Sequence, residues 1–392
     1  MAGLSGQEIV CISPTDWDVH WGPQHQIMSR LAIRNRVLFV ELPFSPLSFA
    51  TGLRRLPLSR LRRSVLLGAP RVETNGLLVA SPPPVLPFRY NKLSNWSSQA
   101  ILRSYLSLTT RRLRMRGPIL ITFQADSGAL IRRSEARARI YYCTDDWASL
   151  ERWWQPAARV RQREAELVRA CDLVIATSRR LANRLQALGT PTHCLPNAVD
   201  EAMLCTEIPR SLPPALAGLG RPIVGFAGII HRHSFDADLL LALGKSHPEW
   251  TFLMVGRQEG REPDLGALRG LPNFVFAGFQ ERAVLPAYLA AMDVCLIPRP
   301  NSEWAQSAFS LKLFEYLAAG KPVVATHSDE FVPFEPLVRQ ARTYAEFDTC
   351  CQRSLSEDNK ELARQRVALA RENTWARRIE QISEILSGAA AA

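Results

Sequence analysis

The chain has 392 residues, 47% of them hydrophobic and 22% charged, the balance of an ordinary globular protein with room for two or three domains. It holds nothing near the roughly 18 continuous apolar residues of a membrane-crossing helix. Its net charge of +11 is one-sided: residues 1–200 carry 28 Lys+Arg against 14 Asp+Glu, and residues 201–392 carry 20 against 23. Short apolar, β-branched runs then recur with helical patterns between them. In the first half they are EIVCIS (8–13), RVLFVELP (36–43), LLVAS (77–81), PILITF (118–123), RIYYCT (139–144), LVIATS (173–178) and THCLPN (192–197). In the second half they are PIVGFAGI (222–229), TFLMVG (251–256), FVFAG (274–278), VCLIP (294–298) and PVVAT (322–326). Near-continuous apolar strands alternating with helices predict α/β architecture with parallel sheets buried on both faces.

The pattern pauses once, at the Pro- and Gly-rich stretch 205–222. The expected organisation is a Rossmann-like domain over 1–204, a linker at 205–221, a second Rossmann-like domain over 222–360 and a C-terminal helix and tail over 361–392. The N-terminus lacks a basic segment followed by an apolar one, so no signal peptide is read and a cytoplasmic location is expected. The eight cysteines, at 11, 143, 171, 194, 205, 295, 350 and 351, show no C-x-x-C pair and no zinc-ligand spacing, so reduced thiols are expected.

A basic first half attracts anions of several kinds: nucleic acid, anionic lipid or acidic small molecules. Two clusters stand out, LRRLPLSRLRRSVLLG (53–68) and RRLRMR (111–116). Interleaved Leu and Arg suit an anionic membrane surface, or a solvated helix that packs its leucines inward. The basic half raises a nucleic-acid-binding alternative, against which stand the missing RNP-like aromatics, zinc fingers and helix-turn-helix.

The stretch SLKLFEYLAAGKPVVAT (310–326) carries the most chemistry. Ser310 suits an N-cap, Gly320 a C′ position, and Pro322 bars continuation, which predicts a helix over about 311–319. Its first N–H groups favour an anion. Lys312 adds a positive charge there, and Glu315 lies three residues on, near the same face. A phosphate beside a sugar diol matches that pair, with the lysine and backbone amides on the phosphate and the carboxylate on two hydroxyls. The plainer alternative is an i,i+3 ion pair on a core helix.

The segment SAFSLKLFEYLAAGKPVVAT (307–326) resembles the donor-binding segment of GT-B glycosyltransferases, particularly the group that includes bacterial polysaccharide and teichuronic-acid transferases. LPNAVD (195–200), PIVGFAGIIHRHSFDADLL (222–240), WTFLMVG (250–256), FVFAGFQERAVLPAYLAAMDVCLIP (274–298) and HWGPQHQIMSRLAIRNRVLFVE (20–41) extend the likeness over most of the chain. The resemblance implies the GT-B fold, two Rossmann-like doubly wound domains facing a central cleft. It implies a sugar moved from a nucleotide-diphosphate donor, most simply a UDP-sugar, to a glycan or lipid-linked acceptor in cell-surface polysaccharide synthesis, without a cofactor. A nucleotide-sugar epimerase on the same fold, and a transferase that has lost turnover and only binds, are the alternatives within the resemblance.

By the same resemblance Glu315 takes the donor ribose. Lys312 and the amides near Ser310 and Leu311 take the diphosphate, Gly228 lets backbone approach it, and Arg257 and Phe279 sit near the base. Two departures stand out. The glutamate that many relatives carry eight residues before Glu315 is Ser307 here, and the Arg and Lys they place after the Gly228 strand are replaced by IIHRHSFD, leaving Arg232, His231 or His233 to supply charge. The resemblance implies metal independence, and no metal-binding acidic motif of the D-x-D kind is read. Candidates for the catalytic base come from the first half: Asp145 and Asp146 after a strand, His25 in the first turn after WGP, and Asp126 more weakly. An N-cap is the alternative role for either of the paired aspartates. Contact with the inner membrane face is expected from the charge and the acceptor class.

Overall fold

The protein, a computed structural model, is described over residues 4–18, 21–47, 58–65, 68–87, 91–150, 156–204, 213, 216–260 and 263–391. Parts of the basic stretch 53–68 and of the linker 205–221 lie outside these residues. The chain forms two compact units, Met1–Pro196 with Arg378–Ala392, and Asn197–Arg377.

In the first unit the strands are β1 (Glu8–Ile12), β2 (Arg36–Val40), β3 (Arg71–Val72), β4 (Leu78–Ala80), β5 (Ile119–Thr122), β6 (Ala138–Cys143), β7 (Leu173–Ala176) and β8 (Thr192–Cys194). Their order is β3-β4-β2-β1-β5-β6-β7-β8, parallel except for the β3–β4 pair. Val10 of β1 stands between Leu38 and Leu120, and all three are buried. The second unit holds β9 (Ile223–Ala227), β10 (Thr251–Val255), β11 (Phe274–Gly278), β12 (Val294–Ile297), β13 (Val323–Thr326) and β14 (Val338–Ala341). These are all parallel, in the order β11-β10-β9-β12-β13-β14. The predicted doubly wound sheets are therefore present in both units. Strand order reverses between β1 and β5 in one unit and between β9 and β12 in the other, and ligands of such sheets bind beyond the carboxyl ends at that reversal.

Two strands escape the sequence reading. β3 is two residues long, and β14 reads VRQA, with only its end residues buried. An edge strand with a polar middle offers no apolar run to detect. The unit boundaries also differ from the expected ones, falling at Pro196/Asn197 and Arg377/Arg378. Val199 N–H donates to Asn373 O at 3.0 Å and Trp375 N–H to Val199 O at 2.9 Å. This bridge ties residues from both sides of the predicted linker into the second unit.

The described part of the 53–68 cluster is a helix, Leu58–Val65. Its Arg60 is buried, with Nη2 2.7 Å from Asp16 Oδ1 and Nε 2.8 Å from Glu41 Oε2. Ser81 Oγ donates to the same Glu41 oxygen at 2.7 Å. This arginine is committed to an internal ion pair, because two buried carboxylates demand a counter-charge.

Candidate functional site

The helix Leu311–Ala318 follows from its sequence: Leu313, Phe314, Tyr316 and Leu317 are buried on one side, and Gly320, at φ 71°, ends it. Ser310 occupies the N-cap position with extended backbone, but its side chain makes no capping bond. Among the described residues, nothing accepts from the N–H groups of Leu311 and Lys312. Tyr316 fixes the helix against the end of β9, accepting from Ala227 N–H at 2.8 Å and donating to Ala227 O at 3.1 Å. That clamp sets Lys312 and Glu315 beside the β9–β12 reversal.

Lys312 and Glu315 are half-buried, and among the described residues neither side chain has a hydrogen bond or ion pair. The alternative, an i,i+3 ion pair between them, is not formed. Lys312 Nζ lies 5.1 Å from the centre of the Phe226 ring. Burial, and then the Arg299 guanidinium, pull the Lys312 ammonium down to about 8, against the opposing field of Glu315. Burial pushes the Glu315 carboxyl up, opposed by Arg282 and Lys312. Arg282 itself pairs with Asp200 at 3.2 Å. An exposed lysine and carboxylate with no pair sit at ordinary values; these two are held away from theirs in a setting that favours an incoming ligand carrying complementary charge and hydroxyls.

Gly228 follows β9 with φ 148° and donates to Val255 O at 2.8 Å. A Cβ there would stand 2.7 Å from Lys312 Nζ. A Cβ on Gly256, after β10, would overlap the Gly228 carbonyl. Bare backbone at both positions lets the lysine and the loop close over the strand ends. Arg232, in the loop beyond Gly228, donates from Nε to His233 Nε2 at 3.2 Å, and the rings of His231 and His233 are 5.0 Å apart. His233 in turn lies 6.0 Å from the Trp304 ring. Arg257 pairs with Glu259 at 2.7 Å, and Phe279 is 62% exposed after β11. Ser307 is buried at the end of the helix Glu303–Ser307.

Sequence reasoning passed over Arg299. It follows β12, is buried, and donates to Ala305 O at 3.0 Å and Ala308 O at 2.7 Å. Those bonds hold the chain that leads into Ser310 and bring a second cation near Lys312. A lone arginine directly after an apolar strand was the available signal.

Residues 221–364 match the family model described as glycosyl transferases group 1. That match lies within the second unit, Asn197–Arg377. The chain is 25% identical over 258 residues to TuaH of Bacillus subtilis (strain 168), named for a teichuronic acid biosynthesis glycosyltransferase. That match covers 60% of this chain and 63% of the relative, less than two thirds of its length. Sucrose-phosphate synthase of Thermosynechococcus elongatus superposes with a TM-score of 0.69 at 16% identity, over 97% of this chain and 98% of that one. Anabaena HepE, in complex with UDP and glucose, gives 0.66 at 16% identity, over 97% and 99%. The fold is GT-B, and the family match favours transfer over the epimerase and nucleic-acid alternatives.

In the first unit, the candidate bases fare unequally. His25 is fully buried: its Nδ1 accepts from Gly22 N–H at 3.1 Å, so Nε2 carries the proton and donates to Asp16 O at 2.9 Å. Stacked on Trp21 and packed against the tilted rings of Trp17 and Phe39, this neutral imidazole is a strut, with no nitrogen left to take a proton. Asp146 is buried too, accepting from Ser149 Oγ and Arg161 Nη2, each at 2.8 Å. Burial raises its carboxyl, but the bonds from Arg161 and Ser149 with Arg184 nearby win, and it lies below the usual range. An acid so held is a weak base. Asp145 is half-buried beside it, and Asp126 is buried after β5. Contrary to the reading that no D-x-D motif occurs, the sequence holds two Asp-x-Asp triplets, at 16–18 and 236–238. Asp16 and Asp18 pair with Arg60 and Arg71, and Asp236 caps the helix Ala237–Ser246. No group of three or more His, Cys, Asp or Glu among the described residues is arranged to hold a metal.

Proposed function

We propose that this protein is a glycosyltransferase that moves a sugar from a nucleoside-diphosphate donor, a UDP-sugar, to a glycan or lipid-linked acceptor in cell-surface polysaccharide synthesis. One observation carries the reading: Lys312 and Glu315, one helical turn apart and unpaired among the described residues, beside amides that nothing described accepts from and bare Gly228 at the strand reversal. The ammonium and the amides of Leu311 and Lys312 bind the diphosphate, and the Glu315 carboxylate accepts from the ribose hydroxyls. Arg257 and Phe279 flank the base, and Ser307, in place of a carboxylate, faces the donor sugar. UDP and glucose in the HepE complex agree with that donor class, and the name of the Bacillus subtilis relative agrees with the acceptor class.

In the transfer step the acceptor oxygen bonds to the anomeric carbon as the bond from that carbon to the diphosphate oxygen breaks. The acceptor proton passes to a base, for which Asp145 is the candidate. Negative charge gathers on the leaving diphosphate. Cations preorganised in a half-buried site stabilise it more than water does, and this is commonly the largest catalytic term. Lys312, the helix amides and Arg232 supply that charge, so activity is expected to survive a chelator.

A thermal-shift screen across nucleoside diphosphates tests the reading. Stabilisation by UDP that is lost in Glu315→Ala supports it. No response to any nucleotide, or one indifferent to that substitution, overturns it.

A further inference from the structure

The helix Lys92–Arg112 has no acidic residue along its 21 positions. Its exposed side carries apolar residues in place of the usual charges: Leu93 is 73% exposed and Trp96 61%, with Ile101 and Leu108 further along. At its carboxyl end a cavity of about 820 Å³ opens at the amino ends of β5 and β6. Arg103, Arg111, Arg114, Arg116 and Arg133 line it, and Leu106, Leu120 and Leu130 form its apolar wall. Among the described residues none of these five guanidinium groups has a carboxylate partner, and Glu135 is the one acid on the lining. Arg114 adds an independent sign. It sits at φ 54°, in the left-handed region, where the chain turns back and Met115 N–H donates to Thr110 O at 2.9 Å. Glycine is the unstrained choice at that turn, and strain kept for a particular side chain points to a use for it.

We propose that this face of the first unit docks on an anionic phospholipid surface. Leu93, Trp96, Ile101 and Leu108 enter the headgroup–acyl boundary, and a lipid phosphate enters the arginine-lined cavity. Arginine forks match phosphate oxygens, and the apolar wall suits the glycerol and upper chain beside them. The exposed Leu and Trp give the shallow burial an interfacial helix needs, and no described helix is long and apolar enough to cross a membrane. The inference goes beyond the lipid-linked acceptor reading: the cavity lies at the amino ends of β5 and β6, away from the carboxyl ends where ligands of such sheets bind, and vesicle binding is measured without donor or acceptor, so either can fail alone.

Co-sedimentation of the full chain with vesicles tests it. The expected result is binding to phosphatidylcholine mixed with phosphatidylglycerol that is about tenfold tighter than to phosphatidylcholine alone, and that weakens with salt. R111Q/R114Q/R116Q should lose about tenfold or more of it. L93S/W96S should lose binding as well, whereas R364Q/R371Q, exposed arginines of the second unit, should bind like the parent. Unchanged thermal melts would show that the variants fold. Equal binding of parent and triple variant overturns the proposal, as does equal binding to both vesicle types. Displacement by millimolar inorganic phosphate overturns it in favour of a small-anion site, and arginine-dependent binding to duplex DNA without vesicle binding overturns it in favour of nucleic acid.

Discussion

The Lys312 ammonium packs against the bare α-carbon of Gly228, and a Cβ at residue 228 would stand 2.7 Å from Lys312 Nζ. Gly228→Ala should therefore act twice. At φ 148° an alanine is strained, which should cost about 1–3 kcal/mol, read as a lower urea midpoint. The methyl also displaces the ammonium, so the UDP thermal shift should vanish. In a Lys312→Ala background the same substitution should leave UDP affinity unchanged, because the two effects share one group.

Glu315 should be costly to keep and needed for binding. Burial raises its carboxyl, so at neutral pH folding holds an ionised group in an unfavourable place. Lowering the pH through that raised value relieves the penalty. Glu315→Gln should leave the urea midpoint at pH 7 unchanged or higher, and UDP affinity should fall roughly tenfold or more, the value of a charge-assisted hydrogen bond.

UDP affinity should fall as pH rises through about 8, the value to which burial and Arg299 pull Lys312. The protonated amine binds the diphosphate, and above that pH it must take up a proton to do so. The limiting loss is about tenfold per pH unit for one proton. Stability of the free protein runs the other way, rising between about 8 and the ordinary lysine value as the buried charge is discharged. Lys312→Arg should move the loss of affinity to higher pH, and Lys312→Met should remove the slope along with most of the affinity. Titration calorimetry across pH 6–10 reads all three.

The adjacent aspartates should separate. Asp146→Asn removes the charge that holds Arg161 and should lower stability by about 1–3 kcal/mol at pH 7. Because the folded pKa of Asp146 is lowered, that contribution is present above the ordinary aspartate value and fades as pH falls through the lowered one. Asp145→Asn should instead lower kcat while leaving the UDP thermal shift intact.

Arg114→Gly should stabilise the protein by up to about 1 kcal/mol, since glycine adopts φ 54° without strain. A thermal melt reads this gain. The same variant should bind anionic vesicles more weakly, setting stability against attachment at one residue.

Much of this molecule was legible as local pattern. The buried strands of both sheets are short apolar runs, and the Leu311–Ala318 helix is bounded by Ser310 and Gly320 as its residues require. Lys312 and Glu315 were visible because a three-residue spacing on a helix is a statement about space. β14 was not, because an edge strand with a polar middle has no periodic signature. The unit boundary at Asn197 depended on Val199 meeting Thr374, a pairing across 175 positions that no window of sequence contains.

The amino-acid sequence by itself determined the alternating parallel architecture, the one-sided charge and the lysine–glutamate pair, since each arises from neighbours along the chain. Only the tertiary structure decided which polar groups are already satisfied. It buried His25 between Gly22 and Asp16, clamped Asp146 with Arg161 and turned Arg60 onto Glu41, while leaving Lys312 and Glu315 without partners among the described residues. The reason is that a side chain's availability depends on the counter-charges and donors that distant segments bring to it, and those are set by packing.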